Sequence, residues 1–157
     1  MPAMQLAIGL LWAASHGLGF DPGYGLELRL EHRLFEISGS ATTEQKHDAD
    51  GYTWNGQAIL IYPHDGLRPF AGMKTYGYQA DFEDHGWSKN DSVPLVGLEY
   101  KNHTFKIRAQ YSFEDKYGMD STIGSFEYAI TKTLWFGAGY GKAGDGQIAD
   151  VRLTFRP

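Results

Sequence analysis

The sequence has no cysteine, so neither disulfide staples nor thiolate metal sites contribute to its structure. It also lacks a basic cluster, since 14 Lys and Arg stand against 19 Asp and Glu and leave a formal charge of -5. Phosphate binding needs a basic stripe, so this balance argues against a nucleic-acid partner. No apolar run reaches the roughly 20 residues of a membrane-spanning helix. No segment keeps a helical apolar period for more than about a turn, and there is no linker, low-complexity stretch or repeat beyond the hairpin. A phosphate-cradling glycine loop is missing as well. Gly137, Gly139 and Gly141 alternate on one strand face, which suits crowding inside a barrel.

What is present is glycine and aromatic residues: 20 Gly, 10 Tyr and 9 Phe, with only 21% of residues charged. That composition fits a sheet protein with many tight turns, and 157 residues suit one domain. Period-2 alternation recurs along the chain. Eight strands are expected, at about 24–41, 52–63, 69–81, 93–101, 103–113, 121–131, 133–141 and 147–156. The segment Met4–Ala14 is apolar and nearly uncharged, and two readings of it stay open. It matches the centre of a secretory signal peptide, cleaved near residue 15, although no Lys or Arg precedes it. It equally suits an additional N-terminal element on a single β-barrel domain over residues 16–157.

The gaps between the expected strands alternate in length. They are long at 42–51 and 82–92, moderate at 114–120 and 142–146, and short at 64–68, Asn102 and Lys132. An up-and-down barrel places all the longer ones on one rim, as outer-membrane barrels do. That rim is acidic. Glu44, Asp48, Asp50, Asp81, Glu83, Asp84, Asp91, Glu114, Asp115, Asp120 and Asp145 face only Lys46, Lys89, Lys116 and Lys142. The plain reading is solvated loops, with divalent cations as a possible partner there. Asp48-Ala49-Asp50-Gly51 matches only a fragment of a calcium loop.

Which strand face meets the interior decides the class of protein. In His103–Phe113, Phe105, Ile107, Ala109, Tyr111 and Phe113 form one face, while Lys106, Arg108, Gln110 and Ser112 lie on the other. The charged face across the chain comprises Glu27, Arg29, Glu31, Arg33, Glu99, Lys106, Arg108, Glu127, Asp150 and Arg152, both signs present. Turned to lipid, each Lys or Arg near the midplane would cost about 2–4 kcal/mol, so in a membrane these residues line the lumen. The aromatic residues sort by height. Tyr62, Phe70, Tyr100, Phe105, Phe136 and Phe155 lie beside the short-turn rim, and Tyr78, Tyr111, Phe113 and Tyr140 toward the other, with aliphatic residues between. Two such belts are what the two interfaces of a bilayer select. The expected fold is therefore an all-β, antiparallel up-and-down transmembrane β-barrel of about eight strands, its partners the lipid bilayer and lipopolysaccharide. The alternation also permits a soluble lipocalin-like carrier of an apolar ligand, with the faces reversed.

On these features the chain resembles the small eight-stranded outer-membrane barrels of Gram-negative bacteria, over about residues 24–156 and in architecture rather than by a diagnostic motif. It departs from them in ending Thr154-Phe155-Arg156-Pro157 instead of on a terminal Phe. The resemblance implies a bacterial outer-membrane location and a structural or surface-interaction role, or a narrow porin-like pore, behind a largely plugged lumen. A second, looser likeness links Arg108-Ala109-Gln110-Tyr111-Ser112 to the strand carrying a His-x-Ser pair in the outer-membrane lipid A deacylases, the basis of a lipid-modifying alternative. Gln110 stands where the His would be and cannot accept a serine proton. The six histidines show no metal-pair spacing. No catalytic residue, cofactor or metal site is assigned, and the oligomeric state is open.

Overall fold

The computed structural model describes residues 4–16, 23–46, 49–81 and 86–157. Ten strands follow one another along the chain: β1 (Gln5–His16), β2 (Gly23–Glu31), β3 (Phe35–Lys46), β4 (Ala49–Ile61) and β5 (Leu67–Asp81), then β6 (Gly86–Lys101), β7 (Phe105–Ser112), β8 (Ser121–Ala129), β9 (Leu134–Ala143) and β10 (Gly146–Phe155). Each pairs antiparallel with its neighbours in sequence, and β1 pairs with β10 to close the barrel, Ile8 opposite Phe155 and Trp12 opposite Val151. Closure removes both free edges over the height that all ten strands share, while the far ends of β3 and β6 continue with a strand partner on one side only.

Ten strands replace the expected eight, for two reasons. The apolar N-terminal segment is a wall strand, hydrogen-bonded to β2 on one side and to β10 on the other. The stretch read as one strand over 24–41 is a hairpin, turned at residues 32–34 without glycine or proline. There His32 N–H donates to the Phe35 carbonyl at 2.9 Å, and Leu34 N–H to His32 Nδ1 at 3.3 Å.

The expected loop asymmetry is an asymmetry of strand length. Residues 42–46 and 49–51 are ladder, with Lys46 opposite Ala49, and β5 and β6 stay paired as far as Asp81 and Gly86. β3 to β6 are 12, 13, 15 and 16 residues long, against 8, 9, 10 and 10 for β7 to β10. Above the bilayer both faces of a strand meet water, so apolar alternation fades there while the backbone ladder runs on. The last connection is equally tight: Gly144, at φ +55, and Asp145 turn β9 into β10.

The barrel is apolar outside and charged inside. Leu26, Leu28, Leu60, Ile107 and Leu10 are among its exposed residues, whereas Arg29, Glu31, Glu99 and Lys106 are each at most 5% exposed. A soluble lipocalin-like barrel would have these faces reversed, and that alternative is set aside. The exterior needs an apolar solvent, which is lipid.

Candidate functional site: the barrel lumen

The inward residues of the strands are graded in length along the barrel axis. Starting from the short-turn rim, β3 presents Glu36, Ser38, Ser40 and Thr42, and β7 presents Lys106, Arg108, Gln110 and Ser112. β8 likewise runs from Glu127 to Ser125, Ile123 and Ser121. Long ionic side chains therefore fill one half of the lumen, and short hydroxyl or amide side chains leave the other half open.

In the filled half, seven cations and six carboxylates make one connected web. Arg29 lies at its centre, donating from Nη1 to Glu127 at 2.7 Å and Glu31 at 3.2 Å, and from Nη2 to both oxygens of Glu27 at 3.0 Å. Lys106 Nζ is 2.8 Å from Glu36 and 3.5 Å from Glu31. Arg108 grips Glu36 with two parallel bonds of 2.8 Å and also donates to Glu99, which takes Arg68 on its other oxygen. Paired planar groups of this kind are the strongest ionic hydrogen bonds available. On β10, Arg152 donates to Asp150 at 2.6 Å and lies within 3.8 Å of Glu27 and Glu127. Beside the web, Ile59, Ile61, Phe70 and Leu95 form a small apolar cluster, with the Arg108 guanidinium 5.0 Å from the Phe70 ring.

Of the charged residues singled out from sequence, Glu27, Arg29, Glu31, Glu99, Lys106, Arg108, Glu127, Asp150 and Arg152 lie in this web. Arg33 does not: it is exposed in the turn between β2 and β3, because that turn interrupts the strand it was placed on. Glu36, Arg68, Lys101 and Arg156 belong to the web and escaped the sequence reading. Arg156 follows the last strand, where Phe155 faces outward and Arg156 turns in. It is 2% exposed, donates to Glu127 at 2.6 Å and Glu31 at 2.9 Å, and lies 4.1 Å over the Trp135 ring. The alternating glycines of β9 make room for this packing, since a Cβ at Gly139 would come within 2.4 Å of the Asp150 carboxylate.

Two residues assigned to the aromatic belts face inward. Phe70 is in the apolar cluster, and Tyr78, opposite Thr53, lines the open half of the lumen. Each shares the even-numbered face of β5 with Lys74 and Tyr76, and that face turns inward while Leu67 and Met73 on the other are exposed. Tyr62, Tyr100, Phe136 and Phe155 are exposed near the short-turn rim, where Phe105 packs 5.5 Å from Tyr100; Tyr111, Phe113 and Tyr140 are exposed toward the other rim. Trp12, Tyr24, Tyr52 and Trp54 join the latter group.

The open half is a cavity of about 570 Å³ whose floor is the upper layer of the web, Glu27, Glu36, Arg29, Arg108 and Arg152. Its mouth is partly covered by residues 113–120, which form a strap. The Asp115 carboxylate accepts the Tyr76 hydroxyl on one oxygen and the N–H groups of Tyr117 and Met119, both at 2.8 Å, on the other. Burial alone would raise the Asp115 carboxyl, but these hydrogen bonds outweigh it and hold it below its usual range. Asp91 accepts Lys116 N–H at 2.8 Å, and Lys89 Nζ is 3.4 Å from the Tyr117 ring centroid. Asp91 and Asp115 of the acidic rim are thus struts of the strap. Asp48, Glu83 and Asp84 lie outside the described residues, as do the side chains of Glu44, Lys46, Asp50 and Asp81.

Ser112 faces the lumen at its wide end, 3% exposed. His32, His64 and His103 lie at the opposite rim, while His47, His85 and the His16 side chain are outside the described residues. No group of three His, Asp or Glu among the described residues is placed to hold a metal ion.

No protein-family model matches the chain, and no curated protein does. Solved structures do. The KdgM porin superposes with a TM-score of 0.54 at 8% identity, covering 95% of this chain and 98% of that one. The same porin in complex with disordered oligogalacturonate gives 0.51 at 11% identity, with the same coverage. The N-terminal β-barrel domain of Pseudomonas aeruginosa OprF gives 0.51 at 12% identity, covering 98% and 97%. At these identities the likeness is one of fold: this chain folds as an outer-membrane β-barrel.

Proposed function

We propose that the chain is a non-enzymatic protein of the bacterial outer membrane, with its lumen closed on the periplasmic side and open as a shallow vestibule to the cell exterior. Short turns face the periplasm in such barrels, which directs the extended strands β3 to β6 and the acidic rim outward. There they meet lipopolysaccharide and its bridging divalent cations, or other surfaces. One observation carries the reading. The ionic web runs without a break from Arg152 on β10 through Arg29, Lys106 and Glu36 to Arg108, Glu99 and Arg68 on β5, crossing the whole lumen. Opening a path for solute would mean separating several buried pairs at once, each costing several kcal/mol to break. The test is conductance of the refolded barrel in planar bilayers. Insertion without stable current steps is expected, and reproducible steps on each insertion would overturn the closed-lumen reading in favour of a narrow pore.

A further inference from the structure

The vestibule has a chemistry that a closed barrel does not need for its own stability. Its walls carry neutral hydroxyl and amide groups, Ser38, Ser40, Asn55, Gln57 and Gln110 among them, each able to donate and accept. Ser112 Oγ, lining the same space, is buried and has no hydrogen-bond partner among the described residues. A buried hydroxyl in that state calls for a partner from outside the chain. Tyr76 and Tyr78 add aromatic surface beside them.

The charges are as particular. Every cation of the web has a carboxylate within 4 Å. Lys74 and Lys89, which line the cavity above it, have none among the described residues. Lys74 lies 5.8 Å from the Tyr76 ring centroid, with Gln57 and Val93 as its strand partners, and Lys89 stands at the mouth against Tyr117. Of the acids at the mouth, Asp115 is held by the Tyr76 hydroxyl and two N–H groups and feels Lys89 only at longer range, and Asp120 accepts the Tyr111 hydroxyl at 3.1 Å. An ammonium enclosed by a barrel wall without a counter-charge is poised for an anion entering from solvent.

We propose that the vestibule binds an acidic saccharide, with Lys74 taking a carboxylate of the sugar, the neutral side chains its hydroxyls, and the tyrosines the apolar ring faces. Hydroxyl-rich ligands need donors and acceptors together, and sugar rings stack on aromatic side chains. A cavity of about 570 Å³ lies inside the roughly 300–1,000 Å³ range of small-molecule sites. The inference rests on the vestibule alone and stands whether or not the web below it conducts.

The experiment is titration calorimetry on the folded full chain in detergent micelles, folding being verified by the heat-dependent gel shift. The probes are an oligoglucuronate trimer, the neutral glucose trimer and sodium sulfate. The acidic trimer should bind at least about tenfold more tightly than the neutral one, the loss expected for one hydrogen bond to a charged group. Lys74→Gln should erase that difference, and Lys74→Arg should retain it. Equal binding of both trimers, displacement of the acidic trimer by equimolar sulfate, or an unchanged affinity in Lys74→Gln would each overturn the proposal. The comparison of trimers on the unaltered chain decides the matter even where a variant fails to fold.

Discussion

Replacing Arg29 by Met removes a cation that bridges three carboxylates of the lumen while keeping much of its volume. Its guanidinium is within 3.2 Å of three carboxylates whose side chains are 12%, 6% and 5% exposed. The loss is not shared equally. Glu127 retains Arg156 at 2.6 Å and Glu31 retains Lys101 at 2.5 Å, but Glu27 is left with Arg152 at 3.7 Å. Breaking a buried pair from one side costs about 3–5 kcal/mol, and the surviving partners put this case near the lower figure, about 3 kcal/mol. Against a net stability of about 5–15 kcal/mol that is a large share. With a urea slope of about 1–3 kcal/mol per molar, the unfolding midpoint should fall by roughly 1–3 M. The assay is equilibrium urea unfolding in lipid vesicles, followed by tryptophan fluorescence and by gel mobility without boiling. Arg33→Met is the matched control, since Arg33 is exposed in the turn after β2 and should stay within about 0.5 kcal/mol. Adding Glu27→Gln to Arg29→Met should cost less than the two single losses together, by about 1 kcal/mol or more, because the carboxylate stranded by the first change is neutralised by the second. Equal midpoints for Arg29→Met and Arg33→Met would refute the view that the web holds the barrel together.

Lipid exposure predicts a contrast between adjacent faces of β7. Ile107→Lys should cost about 2–4 kcal/mol in the same unfolding assay, whereas Gln110→Lys, which points into the lumen, should cost far less; similar losses would mean that the outer face does not meet hydrocarbon. At Gly77 a Cβ would lie 2.2 Å from the Trp54 ring, so Gly77→Ala should displace that indole, lower stability by about 1–3 kcal/mol and shift tryptophan emission. The strap predicts a pH dependence. Asp115 titrates below its ordinary value when folded, so its contribution is fully present above the unfolded carboxyl value of about 4 and is lost as pH falls through the folded one. Amide protection at Tyr117 and Met119 should therefore drop in acid, and Asp115→Asn should show the low protection already at neutral pH. Protection independent of both pH and substitution would remove Asp115 from the role of anchor.

Alternation alone identified which face of β2, β7 and β10 turns inward, because period 2 is a property of the extended backbone and needs no knowledge of partners. It failed where the phase changes without a turn residue. Leu26, Leu28 and Leu30 are even-numbered and face away from the web, Ile37 is odd-numbered and exposed, and the slip between them marks the hairpin that no glycine or proline announced. Missing that slip put Glu36 on the wrong face, and with it the carboxylate held jointly by Lys106 and Arg108. Those pairs are 70 and 72 residues apart in sequence, so the local pattern names the face of each member but cannot name its partner. The N-terminal strand was ambiguous for another reason: Ala7, Gly9, Leu11 and Ala13 on its inner face give no polar signal, and a run apolar on both faces reads equally as a leader.

The strand count also bears on what the lumen can do. Barrel diameter grows about linearly with strand number, so ten strands enclose roughly 1.6 times the cross-section of eight. Eight strands leave room for side chains alone, and a plugged barrel follows almost automatically from that number. With ten, the inward side chains decide. Arg, Lys and Glu are long enough to meet across the wider lumen, and the proposed closure lies where each strand adjoins the short-turn rim; Ser, Thr and Asn are too short, and where they take over, the space stays open as the vestibule. The gradient from long ionic to short neutral residues recurs on β3, β7 and β8, so the ionic floor and the open pocket are properties of the same strands, each a few residues further along. Extending the ionic half by one inward step, with Gln110→Arg and Ser125→Glu together, should therefore shrink the pocket without disturbing the web beneath it. The measurable result would be loss of saccharide binding with an unchanged urea midpoint, and retention of binding would show that the pocket's depth is set by something other than side-chain length.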